Sequence, residues 1–123
     1  MSTDPRHTLG RQGEQHALEH LRRLGYELVE ANHRTRFGEI DLVMLDDGTL
    51  VFVEVKSRRA QRPAAVWEAL DERKRRQVRR MARAYLYERE HRPAATAIRF
   101  DAVGVVMDAR GALVRLDHLE AAF

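Results

Sequence analysis

The sequence predicts an α/β fold: a single domain with a mixed central β-sheet flanked by helices, in the order α-β-β-β-α-β-β. Three observations predict it. Two stretches carry apolar residues at helical spacing, and strand-length apolar runs follow each of them. One of those runs, Leu50-Val51-Phe52-Val53, is apolar on both faces and so needs cover on both, which helices packed on a sheet provide. The length of 123 residues suits one domain with a true core.

Residues 1–8 read as a flexible N-terminal arm and 9–123 as the folded domain. A first helix is expected over 9–25, stopped by Gly25. Ala17, Leu18, Leu21 and Leu24 make its apolar stripe. One turn back, Glu14 falls within about 20° of the stripe's centre and so faces the core side. Glu14 is either a first-turn glutamate favoured by the helix dipole or a functional carboxylate. The same helix contains His16-Ala17-Leu18-Glu19-His20, which matches the inverted zinc-protease pattern H-x-x-E-H. His16, Glu19 and His20 fall opposite the leucines, so they read as a solvated polar face and the motif is set aside.

Tyr26–Asn32 reads as the first strand, and His33–Phe37 as a basic connection into Gly38, an ordinary strand start. Arg34 and Arg36 can meet phosphate, or can be two arginines in a surface turn. Gly38–Arg58 then forms a hairpin. Its strands are Glu39–Leu45 and Leu50–Lys56, joined at Asp46-Asp47-Gly48 by the Asp-Gly pair that tight hairpins favour. Side chains alternate along a strand. Leu50, Phe52, Glu54 and Lys56 therefore share one face, and Val51, Val53, Val55 and Ser57 the other. Asp41 lies in the partner strand, before the apolar run Leu42–Leu45. Charge buried without a partner is expensive, so three charges in and beside a core hairpin need a reason.

Ser57–Pro63 is a basic loop containing Arg58 and Arg59. A second helix runs from Asp71 to Glu90, with an earlier start at Val66 left open. Val78, Met81, Ala82 and Tyr85 form its stripe, which Trp67 and Leu70 extend if the helix begins early. Lys74 lies within about 30° of the stripe's centre. With Arg73, Arg75, Arg76, Arg79, Arg80 and Arg83 it makes seven cations in eleven residues. Such a run is commonly a solvated face. Here the acids that can pair with it, Asp71, Glu72, Glu88 and Glu90, sit at the ends, which favours a phosphate-binding surface. His91-Arg92-Pro93 ends the helix. Ala97–Met107 is a further strand, in which Asp101 either bridges a basic neighbour or orients a ligand. Asp108–Gly111 is a turn, Ala112–Leu116 a last strand, and Asp117–Phe123 a closing helical turn.

Composition narrows the function classes. Lys plus Arg is 22 and Asp plus Glu is 19, for a formal charge of +3. There is no cysteine, which excludes disulfides and thiolate metal ligands and fits a reducing cytoplasm. No apolar run approaches membrane-spanning length, and the N-terminal residues lack the apolar core of a signal peptide. The expectation is a cytoplasmic protein with no membrane partner.

Asp41, Glu54 and Lys56 have the spacing D-x12-E-x-K. Hard divalent cations such as Mg²⁺ take oxygen ligands, commonly one or two carboxylates with water and phosphate. If the two strands pair, Asp41 and Glu54 converge on one cation, with the Val55 backbone carbonyl as a third ligand. Lys56 then stands where it can orient a water and stabilise charge on a phosphate. Glu14 can reach the same place as an extra ligand or as a ligand-orienting group. The plainer account of the spacing is a salt bridge between strands.

The pattern Gly38-Glu39-Ile40-Asp41-Leu42 followed by Val51-Phe52-Val53-Glu54-Val55-Lys56-Ser57-Arg58 resembles the YraN family of small bacterial proteins. Gly13-Glu14, Gly25-Tyr26, Asn32, Arg99-Phe100-Asp101 and Ala122-Phe123 support the resemblance, which covers nearly the whole chain. That family is similar to archaeal Holliday-junction resolvases and PD-(D/E)XK nucleases. The resemblance thus implies a restriction-endonuclease-like, resolvase-like fold. It also implies Asp41 and Glu54 as ligands of Mg²⁺ or Mn²⁺, Lys56 as the catalytic lysine, and Glu14 as the helix glutamate of the resolvase-like branch. Ile40 stands where the superfamily's name puts proline, at a position that varies. Dimers are common among resolvase-like folds, so a homodimer is consistent with the resemblance.

Three functions follow as expectations. The first is a metal-dependent endonuclease acting on DNA, branched or damaged DNA included, with Arg34, Arg36, Arg58, Arg59, Lys74, Arg75, Arg76 and Arg79 on backbone phosphates. The second is a non-catalytic nucleic-acid-binding module of the same fold. The third is a protein-interaction partner whose basic helix docks an acidic protein.

Overall fold

The computed structural model describes residues 5–60, 71–88 and 94–123, and the side chains from residue 8 onward. The elements are α1 (Pro5–Arg23), β1 (Glu27–Thr35), β2 (Gly38–Asp46), β3 (Thr49–Arg59), α2 (Glu72–Glu88), β4 (Ala97–Met107) and β5 (Leu113–Leu119). The strands form one mixed sheet in the order β1-β2-β3-β4-β5, antiparallel except for the parallel β3–β4 pair. This is the expected fold class and element order. No helix among the described residues is long and apolar enough to cross a membrane.

Continuous apolar β3 is buried on both sides. Leu50 and Phe52 pack with Val78, Met81, Ala82 and Tyr85 of α2. Val51 and Val53 pack with Ala17 and Leu21 of α1. The alternation read from the sequence therefore holds, with one helix on each face of the sheet.

Several boundaries differ from expectation. α1 starts at Pro5 rather than at residue 9; residues 1–4 lie outside the described part. The helix ends as expected at Gly25. Its φ is +94°, and the Tyr26 and Gly25 N–H groups donate to the Leu21 and Arg22 carbonyls, a Schellman closure. Because the helix has already ended, Leu24 turns out to solvent instead of completing the stripe. β1 runs on through the expected basic connection to Thr35, since His33, Arg34 and Thr35 pair with Ile40, Glu39 and Gly38. Its two-residue turn, Arg36-Phe37, is braced by the Phe37 N–H on Thr35 Oγ1. The β2–β3 turn has positive φ at both Asp47 and Gly48, the I′ geometry that Asp-Gly predicts.

α2 begins at Glu72 with Asp71 as its cap, the Asp71 carboxylate accepting the Lys74 N–H. The alternative earlier start at Val66, with Trp67 and Leu70, and the break at His91-Arg92-Pro93 lie outside the described residues. The closing helical turn is instead strand: Asp117 and His118 pair with Gly104 and Val103 as part of β5.

Candidate functional site

β2 and β3 pair from Asp46↔Thr49 to Leu42↔Val53 and no further. Beyond that point they part, and Asp41 and Glu54 stand at the fork. The inward pattern of β2 slips at the same place. Ile40 and Val43 both pack on the α2 side, and Leu42 and Met44 on the α1 side. The facing residue of β1 is Asn32, bracketed by Ala31↔Leu42 and His33↔Ile40. Its φ is +54°, a left-handed conformation that Asn tolerates better than most residues. The two strands therefore step out of regular geometry together.

At this step one oxygen each from Glu14, Glu39 and Asp41 lie within 4.8 Å of one another. Asn32 organises the group: its amide donates to Glu14 Oε2 at 2.8 Å and to Glu39 Oε1 at 2.8 Å, and its Oδ1 accepts from Arg11. Glu14 reaches the group because α1 approaches β3 closely at Gly13. A Cβ on Gly13 would lie 1.7 Å from Ser57 Oγ and 2.9 Å from Ser57 Cβ, so that contact requires glycine. Gly38 is no ordinary strand start either. Its φ is +136°, and an added Cβ would meet Gln77 Nε2 at 2.9 Å and Met81 Sδ at 3.0 Å.

Among the described residues the Asp41 carboxylate has one hydrogen bond, from the Val55 N–H at 2.7 Å. In a strand, a residue's N–H and carbonyl point to the same edge, so the Val55 carbonyl also faces the fork. Burial, then the Glu54 charge, with Glu14 and Glu39 adding, push the Asp41 carboxyl up to about 8 against the single Val55 N–H. Glu54 itself lies outside the three-carboxylate group. Its Oε1 accepts from Lys74 Nζ at 2.8 Å and lies 3.7 Å from Lys56 Nζ. Lys74 thus turns into the site, as its place on the apolar stripe suggests.

The other predicted phosphate contacts divide. Arg79 donates to Phe123 O at 3.0 Å and covers the Phe100 ring, and Arg59 donates to Asp108 O at 2.8 Å, so both tie the fold together. Arg75 lies 3.8 Å from Glu72, and Arg34 3.8 Å from Glu39. Arg36 covers Phe37. Arg58 and Arg76 have no acidic partner among the described residues, nor do Arg73, Arg80 and Arg83.

Sequence reasoning missed two members. Glu39 was readable as a site residue: it shares a strand face with Asp41 two positions on. Asn32 carries only the family resemblance in the sequence, because nothing local signals that its amide would bridge two acids. The prediction of solvated histidines is also corrected. His16 Nε2 lies 2.8 Å from Gly111 O, and His20 Nε2 lies 3.3 Å from His118 Nδ1. Both lie against β5 and the turn before it, because that edge of the sheet extends under α1. Asp101 proves to be a bridging acid, bound by Arg99, His118 and the Ala121 N–H.

Fold and site together define a single-domain α/β protein with a carboxylate cluster where two central strands part. The chain belongs to the Uncharacterised protein family UPF0102, the YraN family of the resemblance, whose family model matches residues 13–105. That span holds Glu14, Glu39, Asp41, Glu54, Lys56 and Lys74. The chain is 41% identical over 123 residues to a UPF0102 protein of Frankia alni, covering 100% of both chains. It is 38% identical over 120 residues to one of Pelotomaculum thermopropionicum, covering 98% of both. It is 42% identical over 115 residues to one of Frankia casuarinae, covering 94% of this chain and 95% of the relative.

Proposed function

We propose that this chain is a Mg²⁺- or Mn²⁺-dependent endonuclease-like protein that hydrolyses phosphodiester bonds in DNA, branched or damaged DNA included. One observation carries the reading: three half-buried carboxylates crowd together at the strand fork, and Asp41 is pushed up to about 8. A hard divalent cation suits an all-oxygen donor set and relieves that crowding. Glu14, Glu39 and Asp41 would hold it, with Glu54 and the Val55 carbonyl at the β3 side of the fork. When bound, such a cation acidifies its water and screens the charge of a phosphodiester.

The chain's own residues supply the rest. Lys56, beside Glu54, is placed to stabilise charge developing on the phosphate. Asn32 holds Glu14 and Glu39 in position. Lys74 neutralises Glu54 within the site, and Arg34, Arg36, Arg58 and Arg76 offer contacts to DNA phosphates. A homodimer would set two such sites against two strands.

The test pairs binding with cleavage. Calorimetric Mn²⁺ titration should show a site in the wild type that Asp41→Ala and Glu54→Ala lose. Cleavage of a panel of flaps, junctions and single strands should depend on metal and disappear in Glu54→Ala and Lys56→Ala, with circular dichroism unchanged. A wild-type protein that leaves the whole panel intact with both metals refutes the reading.

One observation favours a second reading, a nucleic-acid-binding module without cleavage: Glu54 is already neutralised by two lysines. In that case charge reversal along Arg75–Arg83 weakens DNA binding, Lys56→Ala barely alters it, and no variant cuts.

A further inference from the structure

We propose that the groove between the β1–β2 turn and the outer face of α2 holds single-stranded DNA, with a base stacked on Tyr87 and phosphates on the arginines beside it. The groove has a volume of about 750 Å³ and is lined by Arg36, Phe37, Arg80, Arg83 and Tyr87, with Glu88, which lies 3.5 Å from His33, also in its lining. A second hollow of about 440 Å³ shares Phe37 and Arg80 with it and adds Arg73 and Arg76. The two hollows adjoin at Phe37 and Arg80 along the helix.

The spacing of Arg73, Arg76, Arg80, Arg83 and Tyr87 is alternately three and four residues, which places all five in one row. That row is opposite the buried stripe of Val78, Met81, Ala82 and Tyr85. None of the row's arginines, nor Arg36, has an acidic partner among the described residues. A row of uncompensated guanidinium groups complements a phosphate backbone.

The aromatic residue selects the kind of strand. Tyr87 is 92% exposed, so its ring presents a free π-face. Duplex phosphates need no such face. Unpaired bases do, because aromatic stacking is how single strands are held without regard to sequence. At the other end of the helix the row ends at Arg73, next in sequence to Lys74, which turns to the buried face and touches Glu54. Arg73 to Tyr87 is about 21 Å at 1.5 Å per residue, room for about six nucleotides at stacked spacing. The inference does not rest on the nuclease-like reading, since binding in this groove needs neither the carboxylates nor a metal.

The experiment is fluorescence anisotropy with a short labelled oligothymidylate in EDTA, which separates binding from metal chemistry. The wild type should bind the single strand more tightly than a duplex or an RNA strand of the same length. Tyr87→Ala should weaken binding about tenfold, within the range of one stacking contact, and Tyr87→Phe should preserve it. An abasic strand should bind both wild type and Tyr87→Ala equally. The double change Arg80→Gln/Arg83→Gln should flatten the log–log salt slope by about 1.4, or about 0.7 per lost phosphate contact. An unchanged affinity in Tyr87→Ala, an equal loss on the abasic strand, or preference for duplex or RNA overturns the inference. Stacking retained without any cleavage would sink the proposed nuclease reading and leave this one standing. Metal-dependent cleavage without Tyr87 sensitivity would do the reverse.

Discussion

Two aspartates on the α1 side of one sheet, one fully buried and one half-buried, are treated in opposite ways. Asp101, fully buried, accepts from Arg99 at 2.8 and 2.9 Å, from His118 at 2.8 Å and from the Ala121 N–H at 3.1 Å. Burial pushes its carboxyl up, but these hydrogen bonds together outweigh burial and hold it below the usual range. Arg99 also donates to the Tyr26 hydroxyl at 2.6 Å, so the network joins the end of α1 to β4 and β5. Among the described residues Asp41 has one N–H and three neighbouring carboxylates, and it is pushed up to about 8. The difference teaches what a structural carboxylate looks like: the fold itself satisfies it. A carboxylate left among its own kind holds its proton instead, and under the proposed reading a divalent cation would take that proton's place.

The comparison can be broken by mutation. Asp101→Ala should have the largest effect, since it leaves Arg99 and His118 without their acid; a loss of about 3–5 kcal/mol in urea unfolding is expected. A loss under about 1 kcal/mol would make the network ornamental. Gly13→Ala should cost about 1–3 kcal/mol by overpacking against Ser57, and Ser57→Gly in the same chain should recover part of it.

Asp41→Asn should move the other way. Removing a charge that the metal-free fold cannot satisfy should stabilise the protein by about 1–3 kcal/mol at pH 8. Its pH dependence follows from linkage. The folded-state pKa of Asp41 is raised from 3.8 to about 8, so its contribution is full below about pH 4 and is lost as pH rises through 8. Wild-type unfolding in EDTA should show that decline, Asp41→Asn should flatten it, and Mn²⁺ should offset it only in the wild type. Asp101 has the opposite sign. Its folded-state pKa is depressed, so its stabilisation is present above the unfolded value of 3.8 and lost as pH falls through the lower folded one.

The smallest expected effect is at Asn32. Asn32→Gly keeps the left-handed conformation but deletes the amide that joins Glu14 to Glu39. Stability should change little, while Mn²⁺ affinity falls about tenfold or more by calorimetry. Unchanged affinity would make Asn32 a turn residue and nothing else.

By itself the sequence determined the element order, the two faces of β3, the inward aim of Glu14 and Lys74, and the tight turn at Asp47-Gly48. These are readable because strand alternation, helical periodicity and turn chemistry are local: each depends on residues a few positions apart. Glu39 belonged to the same readable set, two residues from Asp41. Only the tertiary structure decided which charges are neutralised. Arg79 and Arg75 looked equivalent to Arg80 and Arg83 in the basic run, yet the first pair found partners at Phe123 and Glu72 and the second found none among the described residues. His16 and His20 looked solvated until β5 and its turn came beneath them. The left-handed Asn32 and the slip at Asp41 are likewise products of strands that pair and then part. Neutralisation depends on neighbours brought together from distant parts of the chain, and no local period encodes that.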